Sequence, residues 1–224
     1  MNDNVVNKKS FLSQVTEIVK TNIRNIIILL SLCFVLFLSF QIYSFYISNK
    51  IQKNSISFFA AQNTDDTKII TDTITKLSND NTFYGVLAKL ELIDLTLKQN
   101  NIEDSISMYR EIINQNNLES VYKSAIASKA SYQLIDINFE NLSLNYLNII
   151  NDFISYINDE TDSYKGIKLE LKYLIKILEA EKNSIDYSSF NEVNDIYENI
   201  MSSDVVSSAI KERVNKIHEF YSNK

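Results

Sequence analysis

The sequence predicts an all-α protein in which one transmembrane helix near the amino terminus precedes a solenoid of antiparallel helix pairs. No charged residue lies between Arg24 and Lys50, and the apolar run at 26–47 is long enough to cross a bilayer. The 224 residues include no proline and only two glycines, whereas sheet-rich folds need many turn residues. Beyond the span, apolar residues recur every three or four positions, which is the helical period.

The charges that flank the span predict its orientation. Residues 1–24, the predicted cytoplasmic tail, carry four basic and two acidic side chains, whereas Lys50 and Lys53 follow the span. Positively charged residues are retained on the cytoplasmic side, so we expect the transmembrane helix at 25–49 to leave the rest of the chain exported. The apolar run is too long for a cleaved signal peptide and no small-residue cleavage site follows it closely, which predicts an uncleaved anchor.

Two interpretations of the amino-terminal tail remain open. Phe11, Leu12, Val15, Ile18 and Val19 have helical spacing, which is compatible with a short amphipathic helix on the cytoplasmic surface. The alternative is a partly ordered leader.

The single cysteine, Cys33, lies within the span, so the exported part has no disulfide.

Residues 50–80 are predicted to form a helical stalk and a first helix. The stalk has no turn signal before residue 63, and we expect Phe58 and Phe59 to pack against the domain. Asp65 or Asp66 can cap a following helix at 67–77.

Residues 81–224 are predicted to form the helical-repeat domain. Apolar spacing predicts seven helices, at 82–98, 102–114, 119–138, 143–157, 163–181, 187–201 and 204–221. Several of them are apolar on more than one face. Such helices suit a stack in which each contacts its own partner and the next pair, so we favour a solenoid over a four-helix bundle.

A motif at the start of this domain resembles a known family. The matching residues are Tyr84, Gly85, Leu87, Ala88, Leu90, Glu91 and Leu92. This run, followed by a turn and a second helix, is similar to a tetratricopeptide repeat (TPR), and specifically to the ancillary subunit family of the bacterial Sec translocon. The resemblance implies a single-pass inner-membrane protein with a cytoplasmic amino terminus and a periplasmic TPR-like domain. It also implies two protein partners, the translocon channel and a membrane-anchored periplasmic chaperone of the prolyl-isomerase type.

Small residues are expected where paired helices touch. The candidate positions are Ser105, Ala127, Ala130, Ser131 and Ser143. The match to the TPR pattern is incomplete, because the usual small positions of the first pair fall on Ile93, Ser105 and Ile112, and because the repeat offset of 38 residues exceeds the usual 34.

The numbers of histidine, cysteine and charged residues predict a binding protein without cofactor or metal. A lone histidine and a cysteine within the span cannot form a zinc site or a Cys-His dyad, and we interpret His218 as an exposed helix residue. Beyond the span, 18 basic and 26 acidic residues give a net charge of −8, which argues against nucleic-acid binding. We expect a non-enzymatic interaction module. The alternatives are a self-associating envelope or cell-division scaffold and an unrecognised hydrolase.

Overall fold

The computed structural model describes residues 11–142, 145–159, 162–184 and 191–223. Within these residues the chain forms nine α-helices and no strand, which confirms the all-α prediction. The helices are α1 (Phe11–Gln62), α2 (Thr67–Ser78), α3 (Phe83–Lys98), α4 (Ile102–Ile113), α5 (Ser120–Glu140), α6 (Leu147–Ser155), α7 (Asp162–Asn183), α8 (Asn191–Ser202) and α9 (Ser208–Ser222).

The chain divides into two compact units. The first contains the residues up to Thr73 together with Thr82–Tyr84. The second contains Ile74–Asn81 and Gly85–Lys224. Helices α4 to α9 lie in the second unit, as does most of α3, and each unit is described by itself below.

Helix α1 dominates the first unit. It has 52 residues, which corresponds to a length of about 78 Å. Among the described residues it is the one helix long and apolar enough to cross a membrane, and the apolar side chains of the predicted span are exposed along it. The predicted stalk is helical, as expected. The amino-terminal tail from Phe11 onward is part of this same helix and not a separate one.

Aromatic rings pack at the carboxyl end of α1. The ring centroid of Tyr84 lies 6.0 Å from that of Phe58 and 6.1 Å from that of Phe59. Phe58 is buried, whereas Phe59 remains half exposed. The Asn54 side-chain amide donates a hydrogen bond to the Thr82 hydroxyl at 2.9 Å. These contacts fix the stalk against the residues that open α3.

The predicted cap of α2 is present at one of its two candidate residues. The Asp66 carboxylate accepts hydrogen bonds from the backbone N–H of Lys68 at 2.9 Å and of Ile69 at 3.2 Å. It thereby satisfies two of the donors that a helix amino terminus leaves open.

Helices of the second unit pack mainly against near neighbours in sequence. Helix α5 packs against α4, α6 and α7, and α7 packs in turn against α8 and α9. An ion pair joins Asp94 of α3 to Lys129 of α5, and another joins Arg110 of α4 to Asp152 of α6. The contacts therefore link α3 to α5, α5 to α7 and α7 to α9, link α4 to α6, and join consecutive helices from α4 to α9.

Two apolar clusters form the core of this unit. The larger joins α3 to α7 and includes the fully buried Tyr109 and Phe153, whose rings meet edge to face at 6.0 Å. The smaller joins α7, α8 and α9 around Tyr173, Val193 and Val214. Burial of such large side chains is the main source of stability in a domain with no disulfide.

The predicted start of the fourth domain helix is wrong. Helix α6 begins at Leu147, and the described residues 145 and 146 before it are not helical, whereas Ser143 lies outside the described residues. The buried Asn138 side chain accepts a hydrogen bond from the backbone N–H of Tyr146 at 3.4 Å. This contact satisfies a backbone donor of the loop, so the loop does not need a further helical turn.

The last helix also starts later than predicted. Helix α9 begins at Ser208 and not at Asp204. The reason is the N-cap, because the Ser207 hydroxyl accepts a hydrogen bond from the backbone N–H of Ile210 at 3.4 Å. The start predicted for the helix before it, at Tyr187, lies outside the described residues.

Candidate functional site

One side of α5 stays accessible along the whole helix. Its members, spaced three or four residues apart, are Tyr122, Ala125, Lys129, Gln133, Asp136 and Glu140. That spacing aligns side chains on one side of a helix, and we call this surface the α5 face. The other sides of α5 are largely buried against α4, α6 and α7.

A carboxylate of α3 fixes the middle of the α5 face. One oxygen of Asp94 accepts a hydrogen bond from Lys129 Nζ at 2.7 Å, and the other accepts one from the Gln133 amide at 2.9 Å. The Gln133 carbonyl in turn accepts a hydrogen bond from the Tyr109 hydroxyl of α4. Burial and the negative charge of Asp94 raise the pKa of Tyr109, so its hydroxyl remains a donor. Two side chains of the face are thus held in defined positions.

A second polar cluster borders the α5 face toward α7 and α9. Residue Glu170 of α7 is 2% exposed, and its two carboxylate oxygens accept hydrogen bonds from Arg213 Nε at 2.9 Å and Nη2 at 2.7 Å. The Tyr132 hydroxyl of α5 also donates to it, at 2.7 Å. These bonds raise the pKa of Arg213, and burial together with Glu170 raises that of Tyr132. A buried carboxylate is tolerated only when it is paired in this way.

The carboxyl end of the α5 face is acidic. Asp136 and Glu140 lie one turn apart, and partial burial and the charge of Glu140 raise the pKa of the Asp136 carboxyl. The amino end exposes the aromatic ring of Tyr122. The face therefore combines an aromatic end, an oriented lysine and amide, and an acidic end, a mixture suited to contact with a polypeptide.

The interpretation of His218 as an exposed residue is wrong. Its ring stacks on Tyr197 of α8, with 3.7 Å between the centroids and an angle of 11°. The Tyr173 hydroxyl lies 3.5 Å from His218 Nδ1. Burial lowers the pKa of His218, although the nearby Glu219 opposes this effect. The histidine thus joins α9 to α7 and α8.

The residues of the family motif lie mainly in packed positions. Ala88 is fully buried and Gly85 is buried, while Tyr84, Leu87, Leu90, Glu91 and Leu92 are partly buried. A Cβ atom at Gly85 would lie 1.9 Å from the Asp80 carbonyl oxygen and 3.1 Å from that of Leu77. Glycine is required there because the backbone that precedes α3 passes too close for a side chain.

The candidate small positions are also buried where the structure describes them. Ser105, Ala127, Ala130 and Ser131 are all at most 1% exposed, and Ser143 lies outside the described residues. The Ser131 hydroxyl donates to the Ala127 carbonyl oxygen at 2.8 Å, so it adds no unsatisfied polar group to the helix contact.

The polar clusters beside the α5 face were not predicted from the sequence. One signal was available, since Glu170 lies three residues after Ile167 and four before Leu174, on an apolar stripe of its helix. A charge on such a stripe indicates a buried partner. Nothing in the sequence names Arg213, 43 residues away, as that partner.

No metal centre is evident in the part of the chain that the structure describes. Within it, no three His, Cys, Asp or Glu side chains lie close enough together to hold a metal ion. Comparison of the chain with protein-family models, with curated proteins and with solved structures found no match.

Proposed function

We propose that this chain is a non-enzymatic protein–protein interaction module held at a membrane by α1, with the α5 face as its contact surface. The single observation that carries the proposal is the α5 face itself. It is an accessible surface along a full helix whose central side chains, Lys129 and Gln133, are already oriented by Asp94. Side chains that are fixed before binding lose less entropy on association than free ones.

The domain is proposed to be a TPR-like α-solenoid. In such a stack each helix contacts its own pair partner and the neighbouring pair. The contacts of α5 with α4, α6 and α7, and of α7 with α8 and α9, follow that rule. The buried small residues of α5 are compatible with close helix approach. In a solenoid of this kind the first helices of successive pairs, here α3, α5 and α7, line one common surface.

The proposed location is the bacterial inner membrane, with a cytoplasmic amino terminus and a periplasmic domain. The excess of basic residues before the span supports this orientation. The proposed partners are the Sec translocon channel and a membrane-anchored periplasmic chaperone of exported proteins. The resemblance of residues 84–92 to the ancillary subunit family supports these partners. Attachment to the same membrane raises the effective concentration of the module near both.

Site-specific photo-crosslinking in intact membranes tests the proposal. A photoreactive residue replaces Ala125 or Asp136 on the α5 face, or Ser107 of α4 as a control that is also exposed but lies on another helix. We expect adducts from the two α5 positions and a much weaker yield from Ser107, and mass spectrometry of the adducts identifies the partner.

Each outcome of this experiment has a defined meaning. Adducts with a translocon or chaperone subunit support the full proposal. Adducts of the α5 face with unrelated membrane proteins support the interaction module and contradict the Sec assignment. Equal yields from Ser107 and from the α5 positions, or no adduct at all, contradict the assignment of the contact surface.

A further inference from the structure

A stripe of uncharged side chains runs along α1 from the predicted span into the stalk. Its members, spaced three or four residues apart on one side of the helix, are Ile27, Ser31, Phe34, Leu38, Gln41, Phe45, Asn49, Gln52, Ile56 and Phe59. We call this surface the α1 stripe. Its average spacing of about 3.6 residues is the period of an α-helix, so the members stay on one side of it.

The stripe continues past the membrane with exposed apolar residues. Ile56 is 64% exposed and Phe59 is 50% exposed, whereas Phe58 and Ala61 on the opposite side of the helix are buried. Ile56 and Phe59 follow the last apolar residue of the span by about 14 and 18 Å of helix. The headgroup layer is only about 5–7 Å thick, so lipid does not cover these two side chains. Neither lipid nor the rest of the chain covers these two large apolar side chains, so they are available for a contact.

A carboxamide lies on the same stripe inside the span. Gln41 is exposed on α1 and would face hydrocarbon, where an amide without a hydrogen-bond partner is costly. A carboxamide both donates and accepts hydrogen bonds, so two copies related by a two-fold axis satisfy each other. Amide contacts of this kind stabilise helix association in membranes. Asn49 and Gln52 offer the same self-complementary chemistry just beyond the span.

We propose that the α1 stripe is a homodimer interface, in which two copies of this chain pack their α1 helices in parallel. A second copy is the partner that fits, because the same span holds each residue of the stripe at the same height as its counterpart. A symmetric contact also places like residues together, and the stripe contains no charge that would repel its own copy. Lys50 and Lys53 lie on other sides of the helix.

Disulfide trapping in native membranes tests the interface. Full-length protein carrying Cys33→Ser receives a single new cysteine by Ile56→Cys on the stripe or by Ser57→Cys at nearly the same height on another exposed side. After mild oxidation we expect at least fivefold more cross-linked homodimer from Ile56→Cys. Equal yields from the two positions, or no homodimer from Ile56→Cys, overturn the proposal, as does an adduct formed only with a different protein.

A second substitution tests the role of the amide. In the Ile56→Cys background, Gln41→Leu is expected to lower the homodimer yield about threefold to tenfold. Ser44→Leu, which removes a polar group from another side of the span, is expected to leave it unchanged. An unchanged yield with Gln41→Leu would show that the Gln41 amide takes no part in the interface. The result is independent of the α5 face, because the homodimer is formed whether or not that face cross-links a partner.

Discussion

The Glu170 carboxylate and the Arg213 guanidinium form a two-point ion pair between α7 and α9, with the Nε–Oε1 distance at 2.9 Å and the Nη2–Oε2 distance at 2.7 Å. The pair is asymmetric in burial, since the Glu170 side chain is enclosed whereas 54% of the Arg213 side chain is exposed. Arg213 therefore neutralises a buried charge from the surface, and the Tyr132 hydroxyl completes the set of donors. These hydrogen bonds join α5, α7 and α9 to one another through Glu170.

Removing the arginine should destabilise the domain. Arg213→Met leaves the Glu170 carboxylate enclosed without its cation, and we expect a loss of about 2 kcal/mol in the free energy of unfolding. Denaturant unfolding of the full-length protein in detergent, followed by circular dichroism, measures it. Lys216→Met on the same helix removes a fully exposed ion pair and should leave the midpoint unchanged. Equal midpoints for the Arg213→Met variant and the wild type would contradict a structural role for the pair.

Replacing either glycine with alanine adds one methyl group, and we expect this to destabilise the fold much more at Gly85 than at Gly166. Gly85→Ala places Cβ 1.9 Å from a backbone oxygen, whereas Gly166→Ala meets the flexible Ile210 side chain at 3.1 Å. We expect Gly85→Ala to lower the free energy of unfolding by about 2–4 kcal/mol, while Gly166→Ala changes it by less than about 1.5 kcal/mol. Thermal melts of both variants provide the measurement. A Gly85→Ala variant as stable as the wild type would contradict the close backbone approach at Gly85.

The tight packing of α5 predicts that enlarging a buried small residue is harmful. Ala130 is fully buried, so Ala130→Leu forces helices apart and should cost about 1–3 kcal/mol or more. Ala125→Leu adds the same atoms on the exposed α5 face and should be close to neutral. The two variants share helix, residue type and substitution, so the difference in their unfolding midpoints isolates burial. Similar midpoints would show that α5 is not closely packed at Ala130.

His218 predicts a dependence of stability on pH. Burial against Tyr197 and Tyr173 lowers the pKa of His218 in the folded state, so the unfolded chain binds the proton more tightly. The stability contributed by neutral His218 is complete above its unfolded pKa of about 6.5 and is lost as the pH falls from there toward the folded pKa. We expect the melting temperature of the wild type to fall between pH 7.5 and pH 5.5.

His218→Phe is the control for this pH effect, because it keeps a ring on Tyr197 and removes the titrating group. Asp136, whose pKa is raised, contributes in the opposite direction, since its protonation at low pH favours the folded state. The difference between wild type and His218→Phe cancels this contribution. A difference that does not vary from pH 7.5 to pH 5.5 would exclude His218 as the cause.

The sequence was sufficient for the helices that have strong apolar spacing or an explicit cap. The long apolar run predicted the central part of α1, at 25–49, and Asp66, one of the two predicted cap residues, precedes the start of α2. The errors at α6 and α9 occurred where a tertiary or local polar contact set the boundary. Asn138 binds the loop before α6, and Ser207 starts α9 four residues later than the periodicity suggested. Apolar spacing does not report such contacts.

The candidate contact surface was less predictable than the fold. The candidate small positions Ala127, Ala130 and Ser131 are buried, but the run of small residues in α5 did not predict the α5 face, because it also includes the exposed Ala125. The hydrogen bonds from Lys129 and Gln133 to Asp94 join residues 35 and 39 positions apart, and only the folded chain brings them together. The same is true of His218, whose environment is formed by side chains of α7 and α8.

The proposal that α1 anchors an exported helical domain is tested most directly by protease treatment of intact spheroplasts that contain the full-length protein. We expect the domain after the span to be digested without lysis, while a cytoplasmic marker remains intact and an amino-terminal fragment containing the span stays in the membrane fraction. Protection of the domain until lysis, or its recovery free of the membrane before digestion, would contradict the account.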